Sequence, residues 1–549
     1  MTAIEPSQGA FKNLDDLVSW HADWRGLRVA VLGLGVTGFS VADTFAELGA
    51  DVLVIAEQAE ADQVDILDVL GVPHIIGPQV ATEGPELVAA HKPQVLVVSP
   101  GVPPQSPIVV WAVANSVAVW VDVELAWRLR DKTEKIADWI LVTGTNGKTT
   151  TTQLVEAMLT SGGLRAAAGG NIGTPMLDLM RDPIGFDAVV VELSSFQLHY
   201  LSVPASPGTH ESSSQVPASQ FPVPASPGTT SSGTTSPGTT SSGTTSPGQI
   251  VPLASVCLNL ADDHLDWHGN FESYSKAKAK VYEQTRVACV YNVQDAATES
   301  MVENANVTEG ARAIGFTLGA PGLSQVGYVE DILADRAFLE DRKNAALEIA
   351  TLADIENIGV ITPHLLANVA AATALARAAG VEPFSIREAI RGFRLDAHRI
   401  ELVGEWGGIR WFDDSKATNP HAAAASLASF ESVIWVVGGL LKGVDIRPLV
   451  KRFKAKLRGA IVIGIDQQPV LDAFAAEAPS LPLLAVAPGS EKSSDDAARV
   501  MRAVAIQAHA WAQSGDVVLL APAAASMDQF VDYADRGAAF SEATKWVND

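Results

Sequence analysis

The sequence has 549 residues, which is too many for one hydrophobic core, so about three domains are expected. Apolar residues make up 47% and charged residues 18%, as in a globular protein, and two cysteines are too few for a disulfide framework. A net charge of −25 disfavours nucleic acid and anionic membranes as partners. Without an apolar run of transmembrane length or a signal peptide, a cytoplasmic protein without membrane insertion is expected.

The first predicted unit is a βαβ segment with a glycine fingerprint. Residues 27–32 form an apolar β run, and Gly33, Gly35 and Gly38 follow at G-x-G-x-x-G spacing before a helix and a second apolar run that reaches Glu57. This pattern predicts a Rossmann-like domain with a diphosphate on the helix N-terminus. An NAD-dependent oxidoreductase is one hypothesis, although any diphosphate can use this turn. Glu57 is either a ribose contact or a solvated strand end.

Another buried strand, residues 94–99, ends in a tight turn at Ser99. Open α/β sheets bind their ligands at the carboxyl ends of the strands, so the Ser99 hydroxyl is a candidate ligand contact. A helix predicted at residues 121–130 then leads to the next unit.

The phosphate-binding motif is WILVTGTNGKTTTT, residues 139–152. An apolar strand leads into a glycine loop, followed by Lys148, Thr149 and a helix predicted through Met158. In this order the loop N–H groups and the helix N-terminus bind phosphate, the lysine reaches the outer phosphates, and the hydroxyl ligates magnesium. The candidate nucleotide contacts are Gly144, Thr145, Asn146, Gly147, Lys148, Thr149 and Thr150.

An acidic residue and a histidine follow two further strands. Glu192 comes directly after residues 187–191, and His264 follows residues 253–260. Neighbouring parallel strands end at one edge of a sheet, so Thr149, Glu192 and His264 are predicted on adjacent loops as magnesium ligands. The alternatives are a helix N-cap for Glu192 and a structural role for His264.

Between these two strands the composition changes abruptly, at residues 202–249. The unit SPGTTSSGTT occurs twice in tandem after two copies of VPASPG. A segment with so little apolar mass cannot offset its ordering entropy, so a disordered insertion is predicted in the central domain.

The helix predicted at residues 271–282 carries lysines on two faces. Lys276 and Lys280 share a face that is expected to be solvated, whereas Lys278 falls with two tyrosines on the inward face. A buried lysine requires a partner. Its ammonium cannot bind magnesium, but a carbamate on its nitrogen offers oxygen ligands.

The helix predicted at residues 362–380 has one polar exception on a mostly apolar surface, Asn368. This amide either contacts a base edge or packs between helices. A third α/β unit follows, with strands near residues 409–412, 433–437, 460–463 and 517–520. Lysines in the loops at its strand ends are candidate anion clamps, although a solvated lysine is the commoner case.

Motifs along the chain resemble those of the Mur amide ligases of peptidoglycan synthesis: TGTNGKTT, GGNIG, ELSSFQL, LADDHLDWHG and YSKAKAKVY, in that order. The likeness spans the chain apart from the insertion. Within the family, DSKATNP, GGLLKG and AAASMDQF resemble most the members that add D-glutamate. The ATP-site motifs are shared with folylpolyglutamate synthases, so a ligase of that type is an alternative, and an ATP-regulated scaffold with the insertion as a tether is another.

The resemblance implies an α/β fold of three domains. Residues 1–121 form a Rossmann-like domain that binds a uridine diphosphate sugar, residues 122–395 a central P-loop ATPase-type parallel sheet, and residues 396–549 a Rossmann-like domain that binds the amino acid. It implies an ATP-dependent ligase that joins D-glutamate to UDP-N-acetylmuramoyl-L-alanine (UDP-MurNAc-L-alanine) through an acyl phosphate, with closure at hinges near Val121 and Asp396. A monomer is expected.

Site residues carry over by motif position. Thr149 and Glu192 are implied to hold one Mg²⁺ ion, and His264 and carbamylated Lys278 a second, while Lys148 holds phosphate. Nucleotide and acyl contacts are assigned to Asn171, Asn368 and Arg399. The implied substrate contacts are Gly35, Val36, Thr37, Ser99, Ser194, Lys416, Thr418, Lys442, Ser526 and Tyr533. Where related enzymes read uracil with an acidic residue, this sequence has Ala56, with Glu57 adjacent.

Overall fold

The computed structural model describes residues 12–201, 248–489 and 492–548. Nearly all of the predicted insertion, residues 202–247, therefore lies outside the described residues. The described chain forms three β-sheets of five, nine and six strands, with helices packed on them. None of its helices combines the length and apolar character needed to cross a membrane.

The first sheet is parallel throughout. Its strands are β1 (Arg28–Leu34), β2 (Asp51–Ala59), β3 (His74–Ile76), β4 (Val95–Val98) and β5 (Ala118–Trp120), and its helices are α1 (Val36–Glu47), α2 (Ala61–Leu70), α3 (Val80–His91) and α4 (Pro107–Ala114). The strand order is β3-β2-β1-β4-β5. The order reverses between β1 and β4, where doubly wound sheets bind ligands, and this confirms the predicted Rossmann-like unit.

The second sheet contains the phosphate-binding motif. Its strands are β6 (Asp138–Thr143), β7 (Ala166–Gly170), β8 (Ala188–Glu192), β9 (Ala254–Cys257), β10 (Ala288–Asn292), β11 (Arg312–Phe316), β12 (Gln325–Val329), β13 (Ile332–Asp335) and β14 (Leu347–Thr351). The order is β14-β13-β12-β11-β10-β9-β6-β8-β7. The seven strands from β12 to β7 in this order, including β6, are parallel, as predicted. Strands β13 and β14 add an antiparallel edge.

Ten helices of the described chain accompany this sheet. They are α5 (Asp122–Arg128), α6 (Lys148–Ser161), α7 (Met176–Met180), α8 (Ser195–Tyr200), α9 (Leu265–His268), α10 (Phe271–Ala279), α11 (Ala296–Glu303), α12 (Leu352–Ile355), α13 (Pro363–Ala378) and α14 (Pro383–Gly392). Helix α13 is buried throughout residues 368–376, where small alanines allow it to pack closely against α6 and the sheet.

The third sheet is again mostly parallel. Its strands are β15 (Glu401–Trp406), β16 (Ile409–Asp413), β17 (Val433–Gly438), β18 (Leu457–Ile463), β19 (Leu483–Ala485) and β20 (Val517–Leu520), and its helices are α15 (Pro420–Ala428), α16 (Arg447–Phe453), α17 (Gln468–Glu477), α18 (Ser494–Trp511) and α19 (Tyr533–Asn548). The order is β15-β16-β20-β17-β18-β19, with β15 antiparallel at the edge. The three sheets together confirm the predicted three-part α/β architecture.

Two local predictions are wrong. Strand β9 ends at Cys257 rather than continuing to residue 260, and beyond its end the side chain of Asn259 bonds to the phosphate-binding loop. Lys280 does not lie on a solvated face. Helix α10 ends at Ala279, and the Lys280 ammonium turns inward to donate hydrogen bonds to the carbonyl oxygens of His199 and Leu201, at 2.6 and 2.7 Å. Lys276 is exposed, as predicted.

Candidate functional site

The glycine loop between β6 and α6 forms an anion cradle at the centre of the cleft. Gly147 has a φ of 86°, and a Cβ there would lie 2.2 Å from Oδ1 of Asn368, so no larger residue fits. The Lys148 ammonium folds back over the loop and donates to the carbonyl oxygens of Gly144 and Thr145, both at 3.0 Å. A phosphate can be bound by backbone N–H groups at the α6 N-terminus together with a lysine at the first position of that helix.

The loop that follows β9 holds the phosphate-binding loop in place. The Asn146 N–H donates to Asn259 Oδ1 at 2.9 Å, and Asn259 Nδ2 donates to the Asn146 carbonyl at 3.0 Å. The Thr145 hydroxyl lies 2.8 Å from the Tyr274 hydroxyl. These bonds join the predicted nucleotide contacts to the segment that carries His264.

Glu192 ends β8 beside the cradle and is 2% exposed. Its Oε1 accepts a hydrogen bond from Asn171 Nδ2 at 3.0 Å. Its Oε2 is buried and has no hydrogen-bond partner among the described residues. A buried carboxylate oxygen without a partner is costly, and such an oxygen is a preferred Mg²⁺ ligand. The Glu192–Asn171 pair therefore suits a cation.

Lys278 is buried next to the cradle, at 2% exposure. Its ammonium donates to the Gly144 carbonyl at 2.8 Å and to the Thr143 hydroxyl at 3.3 Å. Burial, and then the charge of Lys148, lower its pKa to about 7. The amine is thus partly neutral near physiological pH, which is the form that can react with CO2.

His264 precedes α9 in a left-handed conformation, with a φ of 53°. Burial lowers its pKa to about 4, against the opposing charge of Asp263 and with the charges of Lys442, Lys148 and Lys278 adding to the decrease. The imidazole is therefore neutral at physiological pH, as a metal ligand must be. Three lysines act on one imidazole because the segments that carry them converge.

A cavity of about 130 Å³ lies between the second and third sheets. Its lining includes Asn368 and Arg399, together with Lys416, Asn146, Gly147 and Thr150. Asp414 is buried in the same wall, and burial raises its pKa to about 6. The structure thus brings the predicted base contact, hinge arginine and phosphate loop together around one small cavity, called the nucleotide cavity below after the ligand expected there.

The residues predicted to clamp the amino acid divide between two surfaces. Lys442 lines a groove of about 770 Å³ at the carboxyl ends of β17 and β18. Its loop is joined to the Ser526 loop through mutual hydrogen bonds of Leu440 and Ala525. Lys416 lies instead in the wall of the nucleotide cavity, with its ammonium 3.6 Å from the centre of the Tyr533 ring. Thr418, two residues beyond Lys416, is half-buried.

The fingerprint of the first sheet packs against Ser99. A Cβ at Gly33 would lie 2.6 Å from the Ser99 hydroxyl, and one at Gly38 would lie 2.0 Å from the Gly33 carbonyl. The Ser99 hydroxyl is buried without a partner in the described chain. Gly35 precedes α1, whose first turn holds Val36 and Thr37, so these residues surround the expected diphosphate position. At the position expected to read uracil, Ala56 is buried, and Glu57 is exposed on β2.

Ser194 caps α8, and a buried chain of contacts that the sequence did not reveal supports it. Gln197 Oε1 accepts from the Ser194 N–H, and Gln197 Nε2 donates to Asp122 Oδ1 at 3.2 Å. Burial raises the pKa of Asp122 to about 6. The acidic start of α5 was a visible signal, but nothing in the sequence pairs it with a residue 75 positions away.

Family models match each of the three parts of the chain. "Mur ligase MurD-like, N-terminal domain" matches residues 27–121, "Mur ligase middle domain" matches residues 142–205 and 240–376, and "Mur ligase, glutamate ligase domain" matches residues 398–524. The chain is 51% identical to the UDP-N-acetylmuramoylalanine--D-glutamate ligase of Leifsonia xyli, over 99% of this chain and 96% of that sequence. It is 43% identical to the enzyme of the same name from Streptomyces avermitilis, over 95% of this chain and 99% of that sequence.

Solved structures share the fold at low sequence identity. The UDP-N-acetylmuramate-alanine ligase MurC of Thermotoga maritima aligns with a TM-score of 0.51 at 16% identity, over 95% of this chain and 99% of that one. The pseudomurein peptide ligase type C of Methanothermus fervidus aligns with a TM-score of 0.51 at 14% identity, over 95% and 100%. These two likenesses concern the arrangement of the three sheets.

Proposed function

Since the chain belongs to the Mur ligase family, we propose that it is an ATP-dependent ligase that joins D-glutamate to UDP-N-acetylmuramoyl-L-alanine. Members of this family use ATP, and the relatives that match over the full length carry the name of that reaction. The product is a precursor of peptidoglycan. The uridine diphosphate sugar is assigned to the first sheet, which gives the G-x-G-x-x-G turn a role without redox chemistry.

One observation carries the proposal: the phosphate loop, the Glu192 carboxylate, neutral His264 and buried Lys278 meet in one cleft that the third sheet covers. Lys278 bonds to the Gly144 carbonyl, and the charges of Lys148 and Lys442 lower the pKa of His264. Such a cleft can bring two anions, a carboxylate and a triphosphate, into contact.

The reaction needs an activated acid because a free carboxylate does not accept an amine. The alanyl carboxylate oxygen attacks the γ-phosphorus of ATP, the bond to the β–γ bridging oxygen breaks, and ADP leaves. The acyl phosphate is then attacked by the amine of D-glutamate, which forms the amide and releases phosphate and a proton. Lys148 holds the outer phosphates throughout, and Asn171 orients the acyl and phosphate oxygens.

The site fits two magnesium ions. The orphaned Glu192 Oε2, with Thr149 on the first turn of α6, would hold one ion, and neutral His264 with carbamylated Lys278 would hold the other. When bound, Mg²⁺ neutralises the charge of the reacting anions. The Lys278 carbamate forms when the neutral amine adds to CO2 and loses one proton, and the depressed pKa supplies that neutral amine.

The third sheet supplies the groups for the second substrate. Lys442 and Ser526 lie on joined loops at the cleft and are assigned to the carboxylates of D-glutamate, with Thr418, Lys416 and Tyr533. Because Lys416 also lines the nucleotide cavity, it can contact phosphate and amino acid from one position. Asn368 and Arg399 are assigned to the nucleotide. The domain limits, the cytoplasmic location and the monomeric state stay predictions.

Release of phosphate from ATP tests the proposal. Phosphate should appear only when UDP-N-acetylmuramoyl-L-alanine and D-glutamate are both present, and L-glutamate should not replace D-glutamate. A Lys148→Ala variant should abolish release, whereas Lys276→Ala, which changes an exposed lysine, should not. Equal turnover with a folate substrate and L-glutamate would favour the folylpolyglutamate-type alternative. ATP binding without substrate-dependent turnover would favour a scaffold.

A further inference from the structure

Asn419, at the start of α15 in the third sheet's layer, contacts both catalytic loops of the central sheet. Its Nδ2 donates to Asn146 Oδ1 at 3.0 Å and to Asp263 Oδ2 at 3.4 Å. Its Oδ1 accepts from the Ala422 N–H at 2.9 Å and so caps α15. The side chain is 7% exposed, and both of its amide hydrogens and its oxygen are used.

The two partners of Asn419 are neighbours of the proposed catalytic groups. Asn146 lies two residues before Lys148 in the phosphate loop, and its backbone is already fixed by Asn259. Asp263 directly precedes His264. One amide of the third domain therefore bridges the loop that holds phosphate and the loop that holds the proposed metal ligand.

The contact with Asp263 also controls the surroundings of His264. Asp263 Oδ1 accepts from the His264 N–H at 3.0 Å, while Oδ2 lies 3.7 Å from His264 Nε2. The Asn419 amide bonds to this same Oδ2. It thereby holds the carboxylate oxygen in a fixed direction beside the imidazole, which needs a free lone pair to bind a metal.

We propose that Asn419 is a positioning residue that latches the third domain onto the phosphate loop and the His264 loop, so that the groups this domain supplies reach the catalytic cleft only when the domains are closed. The inference deepens the proposed function and rests on it for the roles of Lys148 and His264. The latch itself is a contact between domains and can be measured without turnover.

Two substitutions separate the latch from the helix cap. Asn419→Ser and Asn419→Asp both keep an oxygen that caps α15, and both remove the amide donors. Asn419→Asp also places a second carboxylate against Asp263. Asn344→Asp is the matched control. Asn344 Nδ2 also donates to an aspartate, Asp341, at 2.8 Å, but this pair lies in an exposed turn of the central part of the chain.

Small-angle X-ray scattering with Mg²⁺ and a non-hydrolysable ATP analogue measures closure, and phosphate release measures turnover. Loss of two hydrogen bonds, one of them to a carboxylate, should reduce the closed-to-open ratio and kcat by about tenfold in Asn419→Ser, and further in Asn419→Asp. Thermal stability should stay close to that of the wild type in both. Asn344→Asp should match the wild type in all three measurements.

Three results would overturn the latch: wild-type compaction in Asn419→Asp, a fall in kcat with compaction intact, or a loss of thermal stability in both variants that points to the cap alone. Failure of the proposed function would look different. The wild type would then release no phosphate with its two substrates, whereas the scattering comparison would still decide whether Asn419 closes the domains.

Discussion

Replacement of Lys278 by methionine should abolish turnover and yet stabilise the fold at low pH. Burial lowers the pKa of this lysine from 10.5 to about 7, so about half of the amine is neutral at pH 7, against about one in 3,000 for an ordinary lysine. The same difference in pKa corresponds to a free-energy cost of at most about 5 kcal/mol for keeping the ammonium charged in the folded chain. Loss of the hydrogen bonds to Gly144 and Thr143 offsets about 1–3 kcal/mol of the gain.

The pH dependence of this stabilisation has a definite sign. Because the pKa of Lys278 is lower in the folded chain, the unfolded chain binds one more proton between pH 7 and 10.5, and wild-type stability from this group rises across that range. The variant lacks the group. Its advantage in CO2-free buffer should therefore be about 2–4 kcal/mol near pH 6 and should shrink as the pH approaches 10.

Two assays follow for this variant. Calorimetric unfolding at pH 6 and pH 9 measures the stability of the variant. Its rate of phosphate release should fall by about three orders of magnitude, because several kcal/mol of metal-mediated stabilisation of the transition state are lost. Lys276→Met is the control, because Lys276 and its partner Glu272 are both exposed to solvent and contribute little to stability. Full turnover in Lys278→Met, or a greater loss of stability at pH 6 than at pH 9, would refute the reasoning.

Formate or acetate should restore part of the activity of Lys278→Ala, and a lack of rescue would argue against the carbamate.

Glu192→Gln should lower turnover at least a hundredfold and raise the Mg²⁺ concentration needed for half-maximal rate, because Oε2 has no hydrogen-bond partner in the described chain and is free to bind the ion. An unchanged Mn²⁺ affinity, measured by electron paramagnetic resonance, would contradict the role of Glu192 as a metal ligand. Ser99→Ala should weaken binding of the uridine diphosphate substrate about tenfold by calorimetry without loss of stability, since the hydroxyl has no partner in the described chain. Lys442→Ala should raise KM for D-glutamate about tenfold or more and leave KM for ATP within a factor of about two, and the reverse pattern would reassign this lysine. The hydrogen bond to Asp413 raises the pKa of His398, so this pair stabilises the fold fully below about pH 6.5 and less as the pH rises through the raised pKa. His398→Asn should therefore lower the Tm more at pH 6 than at pH 9. An equal loss at both pH values would exclude a charged pair.

The sequence predicted the central strands well because parallel strands covered on both faces are continuous apolar runs. Strand β8 is buried throughout, and β17 likewise. Strand β15 escaped prediction because it is a largely exposed edge without such a run. Helical periodicity placed Lys280 beside Lys276, but the change to a 3₁₀ turn after Ala279 redirected its side chain.

Side chains that act locally in the motif were predictable, whereas those that act across the fold were not. The spacing of the phosphate loop predicts roles for Lys148 and Thr149 directly. Asn419 has the sequence features of an ordinary helix cap before Pro420, and its bond to Asn146 spans 273 positions. A single sequence contains no signal for that pairing, because only the packing of the third sheet over the cleft brings the two residues together.

Isotope transfer tests the central claim, which is that this cleft activates a carboxylate by phosphorylation. UDP-N-acetylmuramoyl-L-alanine labelled with ¹⁸O in its alanyl carboxylate is incubated with ATP, Mg²⁺, D-glutamate and the enzyme, and the released phosphate is examined by mass spectrometry. One ¹⁸O atom should appear in each phosphate, because the acyl phosphate leaves with a carboxylate oxygen. Amide product accompanied by unlabelled phosphate would contradict the account.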